Sequence, residues 1–180
     1  MEKNKISIIF TIIILLSFYN LKSQNIIEQK ALIKKSFSIF CDTILLKEKV
    51  LQKSKFSFSG FSSFKHSSII DIAICNGDIT YSESWNIKEA ELVNMHSVKK
   101  RNIKEKVKLP KNRIPSAGWF RYRFLKGYFA MEIKLPVEYD NFYFVEIFLL
   151  SKAPAEVIIT LKFNKELKFQ HYCLQYIDLD

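Results

Sequence analysis

The stretch FYFVEIFLL, residues 142–150, is apolar on both faces of a β-strand except at Glu146. Successive side chains of a strand point to opposite faces of the sheet. A strand with one solvent-exposed face therefore has a polar residue at every second position. The pattern therefore predicts a central strand that is covered on both faces. Glu146 shares its face with Phe142, Phe144 and Phe148.

The segment before this stretch predicts a β-hairpin. In WFRYRFLKGYFAMEIKL, residues 119–135, a two-residue loop at Lys126-Gly127 would place apolar residues opposite one another. The predicted pairs are Phe124 with Phe129, Tyr122 with Met131, and Phe120 with Ile133. The other face then pairs Arg121 with Glu132, an opposite-charge pair of the kind that stabilises neighbouring strands. A slip of one residue would destroy both features.

The segments after residues 142–150 predict a second hairpin. VIITLKF, residues 157–163, and LKFQHYCLQYI, residues 167–177, flank Asn164-Lys165-Glu166. With a three-residue loop, one face of this hairpin would hold Val157, Ile159, Leu161, Phe163, Leu167, Phe169, His171 and Cys173. The region from residue 117 onward is thus predicted to be an antiparallel meander.

The segment that follows residue 25 predicts a helix over residues 26–52. Ile33, Phe37, Phe40 and Ile44 recur at steps of four, three and four, which places them on one helical face. Asp42-Thr43 is a candidate break. The Ser/Phe-rich segment FSFSGFSSF, residues 56–64, is predicted to be a loop or an irregular edge piece.

The region around Asn76-Gly77 predicts a third hairpin. This dipeptide lies between alternating apolar residues, which is a strong local signal for a two-residue hairpin loop. Ile74 would then pair with Ile79, and Ile72 with Tyr81. Residues 86–96 are predicted to form a short helix.

These elements predict the α+β class, with an N-terminal amphipathic helix packed on a curved, mostly antiparallel sheet. The order of elements resembles that of the NTF2-like and cystatin-like cones. The resemblance rests on the order of elements and not on a motif, so it implies a fold and no activity.

The first residues predict an export signal. Lys3 and Lys5 precede an apolar run at residues 6–21, which is shorter than the about 20 residues that span a bilayer. We expect a signal peptide at residues 1–23 and a single domain at residues 24–180, in the periplasm or secreted. The alternative is an uncleaved inner-membrane anchor, because Leu21 is large for the third-last position of a cleavage site.

The chain is basic, with a net charge of +10. Basic residues concentrate in a predicted exposed loop at residues 99–113, which contains Lys99, Lys100, Arg101, Lys104, Lys106, Lys108, Lys111 and Arg113. Such a loop could bind an anionic lipid, a polysaccharide, another anionic envelope component or a nucleic acid, or it could be a solvated connector. A nucleic acid is the least favoured of these partners, since most of the basic residues are lysines and base recognition favours arginine. The membrane contact that we expect is the transient one made by the signal peptide.

The cysteines and histidines show no catalytic or metal motif. Cys41, Cys75 and Cys173 allow at most one internal disulfide, which would leave one thiol over. His171 and Cys173 lie on one side of a predicted strand, but a zinc site would need two further ligands. We therefore expect no metal and no cofactor.

Glu146 is the candidate pocket acid. Among aromatic side chains its pKa would rise, which suits a general acid or a ligand-binding group. The alternative is a solvent-facing carboxylate paired with a lysine of the next strand.

The sequence therefore favours an exported, non-enzymatic domain that binds a ligand or partner or serves the envelope. Anion binding through residues 99–113 and an enzyme using Glu146 are the alternatives.

Overall fold

The computed structural model describes residues 26–62, 68–84, 86–88, 91–93, 98–100, 107–115, 128–151 and 155–178. The helices are α1 at residues 26–47, α2 (Lys49–Gln52), α3 (Ser68–Asn76) and α4 (Tyr81–Ser84). The strands are β1 (Lys55–Ser62), β2 (Val98–Lys100), β3 (Tyr128–Lys134), β4 (Val137–Tyr139), β5 (Phe142–Leu150), β6 (Ala155–Phe163) and β7 (Phe169–Asp178). The predicted α+β class is confirmed.

The seven described strands form one curved, mostly antiparallel sheet. β5 lies at its centre, with β6 and then β7 on one side and β3 and then β1 on the other. β4 pairs with the same edge of β5 as β3 does, and β2 pairs with β4. Among the described strand pairs, β1 with β3 is parallel and the others are antiparallel. The central position predicted for residues 142–150 is confirmed.

α1 packs on one face of this sheet through the four residues that the sequence placed together. Ile33, Phe37, Phe40 and Ile44 are all fully buried. The predicted break at Asp42-Thr43 is wrong, because the helix continues there as a wider π-helical turn at Phe40–Ile44. The helix ends where Glu48 adopts an extended backbone conformation.

The sheet is buried on both faces. The α1 face contributes Phe56, Phe129, Met131, Ile133, Val145, Ile147, Leu149, Val157, Ile159, Leu161 and Phe163 to the larger core. The opposite face is covered by α3, and its smaller core contains Ile69, Ile72, Ala73, Leu92, Val137, Tyr139 and Phe144. Burial on both faces explains why β5 has almost no polar residue along its length.

The hairpin predicted at Asn76-Gly77 is wrong, because this dipeptide ends a helix. The Gly77 amide donates to the carbonyls of Ala73 and Ile74, and the Asp78 amide donates to the carbonyl of Ala73 at 3.0 Å. Gly77 has a φ of 88°, the left-handed conformation that closes a Schellman motif. Both a tight hairpin and this helix cap require a positive φ, so the same dipeptide suits either structure.

Replacing Gly77 with alanine should lower the free energy of unfolding by about 1 kcal/mol. A Cβ atom at this position meets no neighbour within 4 Å, so the cost comes from the backbone conformation alone. Gly77→Asn is the matched control, since asparagine tolerates the left-handed region, and it should lose less. Urea unfolding measures both differences. Equal stability of Gly77→Ala and the natural protein would contradict the helix cap.

The hairpin predicted for residues 119–135 is also wrong for its described half. Met131 pairs with Phe58 of β1 on one side and with Leu149 of β5 on the other. Ile133 likewise pairs with Phe61 and Ile147. Both edges of β3 are therefore occupied at these positions. Residues 119–125, the predicted partner strand, lie outside the described residues.

The last hairpin is confirmed, but its predicted face is wrong for His171 and Cys173. The loop spans residues 164–168, and the pairing shifts by one residue between Lys162 and Phe163. Past this bulge His171 pairs with Lys162, and Cys173 pairs with Thr160. Because one extra residue reverses the alternation of faces, both side chains point to the α3 side.

Two further predictions fall partly on described residues. Residues 56–62 belong to β1, an edge strand with a register shift between Phe58 and Gly60, which agrees with the irregular edge piece. Residues 91–93 of the helix predicted at residues 86–96 are helical, but residues 86–88 are not, so the predicted start is wrong. Residues 89–90 and 94–96 lie outside the described part.

Candidate functional site

Glu146 lies on the α3 face of β5 and is fully buried. Its Oε2 atom is 2.9 Å from Nζ of Lys134, whose side chain is 9% exposed. The two residues stand opposite each other because Ile133 pairs with Ile147 in the neighbouring register position. Glu146 thus combines the burial of the first alternative with the lysine partner of the second. Its role as a pocket acid remains a prediction.

Burying an ion pair in the core carries a large desolvation free energy. Removing two charges from water costs several kcal/mol per ion, and the attraction between them often no more than balances that cost. Well-packed apolar residues of similar volume would serve stability as well or better. The cost of burying the pair therefore favours a functional explanation for it. Lys134 also lines a cleft, so the ion pair borders that cleft.

The cleft has a volume of about 360 Å³ and opens between α3 and the sheet. Its lining residues are Ser62, Ile70, Asp71, Glu132, Lys134, Phe148, Glu156, Ile158 and Ile177. Nζ of Lys134 lies 5.1 Å from the centre of the Phe148 ring, a cation–π contact. The size falls within the range of small-molecule sites, which start at about 300 Å³.

The described residues that line the cleft carry a charge opposite to that of the whole chain. The net charge of the whole chain is +10, whereas the described lining residues include three carboxylates and one lysine. The charge of Lys134 is balanced by Glu146 beneath it. Among the described lining residues, Asp71, Glu132 and Glu156 therefore give an excess of negative charge, beside the apolar side chains of Ile70, Ile158 and Ile177.

Asp71 has the clearest electrostatic perturbation in the cleft. Burial raises the pKa of its carboxyl above the ordinary value of 3.8, and the nearby Lys134 and the Gln175 amide offset this only in part. A carboxyl with a raised pKa in the folded state binds protons more tightly there than in the unfolded chain. Its contribution to stability is thus greatest at low pH and falls as pH rises through and beyond 3.8.

Asp71→Asn should therefore increase the free energy of unfolding at pH 7 and leave it nearly unchanged below pH 3.8. The asparagine keeps the size of the side chain and removes the charge that burial disfavours. Urea unfolding at a series of pH values measures the difference. Glu91→Gln is the control, because Glu91 is an exposed carboxylate in the short helical segment at residues 91–93. A variant that is less stable than the natural protein at pH 7 would contradict the direction of the shift.

The predicted basic loop is not a loop throughout. Lys99 and Lys100 belong to β2, and Lys111–Arg113 form a 3-10 turn next to the buried Ile114. Arg113 donates to Ser38 and forms an ion pair with Asp42 of α1. Lys108 is exposed, and Arg101, Lys104 and Lys106 lie outside the described residues. Anion binding by this segment remains a prediction.

The cysteines form the single disulfide that their number allows. Cys75, in the last turn of α3, is bonded to Cys173 of β7, with 5.6 Å between the Cα atoms. Cys41 is the free and buried thiol, and burial raises its pKa to about 11. Nε2 of His171 lies 3.0 Å from the carbonyl of Cys75, so the histidine joins the two cysteines in one cluster.

The sequence indicates Glu146 as a candidate site residue, but it does not indicate the neighbouring Lys134 and Asp71. The hairpin predicted at residues 119–135 gives Lys134 no contact with Glu146, and the hairpin predicted at Asn76-Gly77 puts Asp71 next to a strand and not on a helix over the sheet. The bulge before His171 carries no sequence signal of its own. The faces of β5 were predicted correctly, because its pattern needs only strand alternation.

Comparisons of the chain with protein-family models, curated proteins and solved structures return no match. The analogy with the NTF2-like and cystatin-like cones accordingly rests on element order alone. Within the described residues, no helix is long and apolar enough to cross a membrane. Residues 1–23, the expected signal peptide, lie outside them.

Proposed function

We propose that this chain is an exported, non-enzymatic binding domain whose ligand site is the cleft between α3 and the sheet. The observation that carries the proposal is the local reversal of charge: Asp71, Glu132 and Glu156 surround an apolar cleft in a strongly basic chain. The ligand class that fits is a small amphipathic molecule with a cationic group. Its apolar part would contact the isoleucines and Phe148, and its cation would lie among the carboxylates.

The buried ion pair supports binding in preference to catalysis. Lys134 and Glu146 neutralise each other at 2.9 Å, which suits a rigid and pre-organised wall of the cleft. An enzyme that uses Glu146 would have to part this pair to release the carboxylate. Such a separation would leave a buried charge without its partner, at a cost of several kcal/mol.

The charge preference is tested with two probes of nearly equal size, 2-phenylethylammonium and phenylacetate. Isothermal titration calorimetry on the exported chain should detect binding of the ammonium and no binding of the carboxylate. Glu156→Gln should weaken ammonium binding about fivefold, because one partly exposed charge pair contributes up to about 1 kcal/mol. Glu166→Gln is the matched control: it removes the same charge from an exposed residue in the β6–β7 loop and should leave the affinity unchanged. Equal affinity for both probes, or no binding of either, would refute the proposed ligand class.

Export is tested separately by intact mass spectrometry of the protein recovered outside the inner membrane of its own host. The expected mass is that of a chain beginning at Gln24 or Asn25. A mass that includes residues 1–23 would show that the leader is retained and would favour the anchored alternative. The same spectrum under native conditions would reveal a small molecule that remains bound.

A further inference from the structure

We propose that Cys75, His171 and Cys173 form a redox-controlled zinc site. In the oxidised chain the two cysteines are bonded to each other, as the structure has them. In the reduced chain the two thiolates and a ring nitrogen of His171 bind one Zn²⁺. Disulfide and metal exclude each other, so the redox state of the protein decides whether the site can be loaded.

The positions of the three side chains carry the proposal. One ligand atom from each residue lies within 4.8 Å of the others. A tetrahedral zinc ion with bonds of about 2.0–2.3 Å holds its ligand atoms about 3.3–3.8 Å apart. The cluster therefore needs only small side-chain movements once the sulfur atoms separate. Sulfur and imidazole are also the ligands that zinc prefers in proteins.

The hydrogen bond of His171 keeps the ring in the cluster before any metal arrives. A carbonyl oxygen can only accept, so Nε2 of His171 donates to the carbonyl of Cys75 at 3.0 Å. Since the hydrogen bond comes from one ring nitrogen, the neutral ring keeps a lone pair on the other. The hydrogen bond thus holds the imidazole ring next to Cys75, within 4.8 Å of the two sulfur atoms.

The backbone that presents the cysteines does not depend on the disulfide alone. α3 is held on the sheet by Ile69, Ile72 and Ala73, all of which are fully buried. Cys173 and His171 lie in β7, which pairs with β6 along its length. Reduction should therefore leave Cys75 close to its partners. Cys75 is buried, but His171 is exposed and Cys173 is half-buried, so solvent, reductant and metal can reach the cluster from the β7 side.

The chemical balance requires one external reductant, which we take to be a dithiol. The dithiol supplies two electrons and two protons, the bond between Cys75 and Cys173 breaks, and the dithiol becomes a disulfide. Zinc binding then releases the two thiol protons to solvent. Three protein ligands leave the fourth position of the metal to water.

The decisive experiment compares the oxidised and reduced forms of one protein, the Cys41→Ala variant of the chain. This background removes the third thiol, which lies in the core on the opposite face of the sheet. Equilibrium dialysis against Zn²⁺ should give one bound metal per reduced chain and none per oxidised chain. Co²⁺ used in place of zinc should give a thiolate-to-metal charge-transfer band with the reduced chain. Failure of the reduced chain to bind either ion would overturn the proposal.

The histidine is tested in the same background. His171→Gln keeps both thiols and should weaken zinc binding at least about tenfold, the lower limit for the loss of even an outer-shell partner. Gln170→Ala changes the exposed residue next to it and should leave the affinity unchanged. Equal affinities of His171→Gln and Gln170→Ala would remove the histidine from the site and contradict the three-ligand proposal. None of these measurements depends on the ligand of the cleft.

Discussion

Lys134→Met is expected to lower the free energy of unfolding by about 3–5 kcal/mol, because it leaves the carboxylate of Glu146 buried without its cation. Glu146 is 0% exposed, so its carboxylate would remain in a site of low polarity after the lysine is removed. The double variant Lys134→Met/Glu146→Leu should recover most of the loss, since apolar residues of similar volume can replace a buried ion pair. Urea unfolding of the two variants and the natural protein measures this cycle.

The matched control is Lys168→Met. Lys168 also forms an ion pair, with Glu166 at 2.6 Å, but both side chains are about 70% exposed. Water screens an exposed pair, so this variant should lose less than about 1 kcal/mol. Similar losses in Lys134→Met and Lys168→Met would mean that the Lys134–Glu146 pair is solvated in solution, and the description of the cleft wall would then be wrong.

Removal of the disulfide should have an effect of similar size. Cys75 and Cys173 are separated by 98 residues, so their bond closes a long loop in the unfolded chain. The chain-entropy model gives such a loop about 4.7 kcal/mol of stabilisation. The double variant Cys75→Ala/Cys173→Ala should therefore unfold about 10 °C below the natural protein, as measured by calorimetry.

Reduction supplies the control for this variant. Dithiothreitol should lower the unfolding temperature of the natural protein to that of the double variant and should leave the double variant itself unchanged. Cys41 is a free thiol in both proteins, so it does not contribute to the difference. A natural protein whose unfolding temperature ignores the reductant would contradict the pairing of Cys75 with Cys173.

The sequence predicted those parts of the fold in which one periodicity acts alone. The buried face of α1 follows from helical spacing, and the central position of β5 follows from apolar residues on both of its faces. The last hairpin was located because two apolar segments flank the polar Asn164-Lys165-Glu166 loop. In these cases the pattern and the packing of the element require the same residues to be buried.

The errors arose where two structures share the same local signal. Ile70, Ile72 and Ile74 alternate as in a strand, but Ile69, Ile72 and Ala73 are also spaced for one helical face, and α3 uses the second pattern. The sequence predicts the neighbouring segment as the partner of residues 128–134, whereas β1 and β5 provide the pairing. Distant partners of this kind depend on the whole sheet and have no local signature.

The candidate site likewise combines a residue that a local pattern indicates with partners that depend on distant parts of the chain. Glu146 stood out because it is the one polar residue in an apolar strand. Its partner Lys134 depends on the register between β3 and β5, and Asp71 depends on α3 lying over the sheet. Cys75 and His171 come together through a bulge and a contact between residues 96 positions apart. The sequence can therefore indicate Glu146 as the candidate acid, whereas the residues that line the cleft can be identified only from the tertiary structure.

The location of the ligand site is tested most directly by nuclear magnetic resonance on the isotope-labelled chain. Titration with 2-phenylethylammonium should shift the backbone amide signals of residues 70–71, 132–134, 156–158 and 177, which surround the cleft. The signals of α1, on the opposite face of the sheet, should not move. Shifts confined to α1 or to residues 107–113, or no shifts at all, would contradict the assignment of this cleft as the binding site.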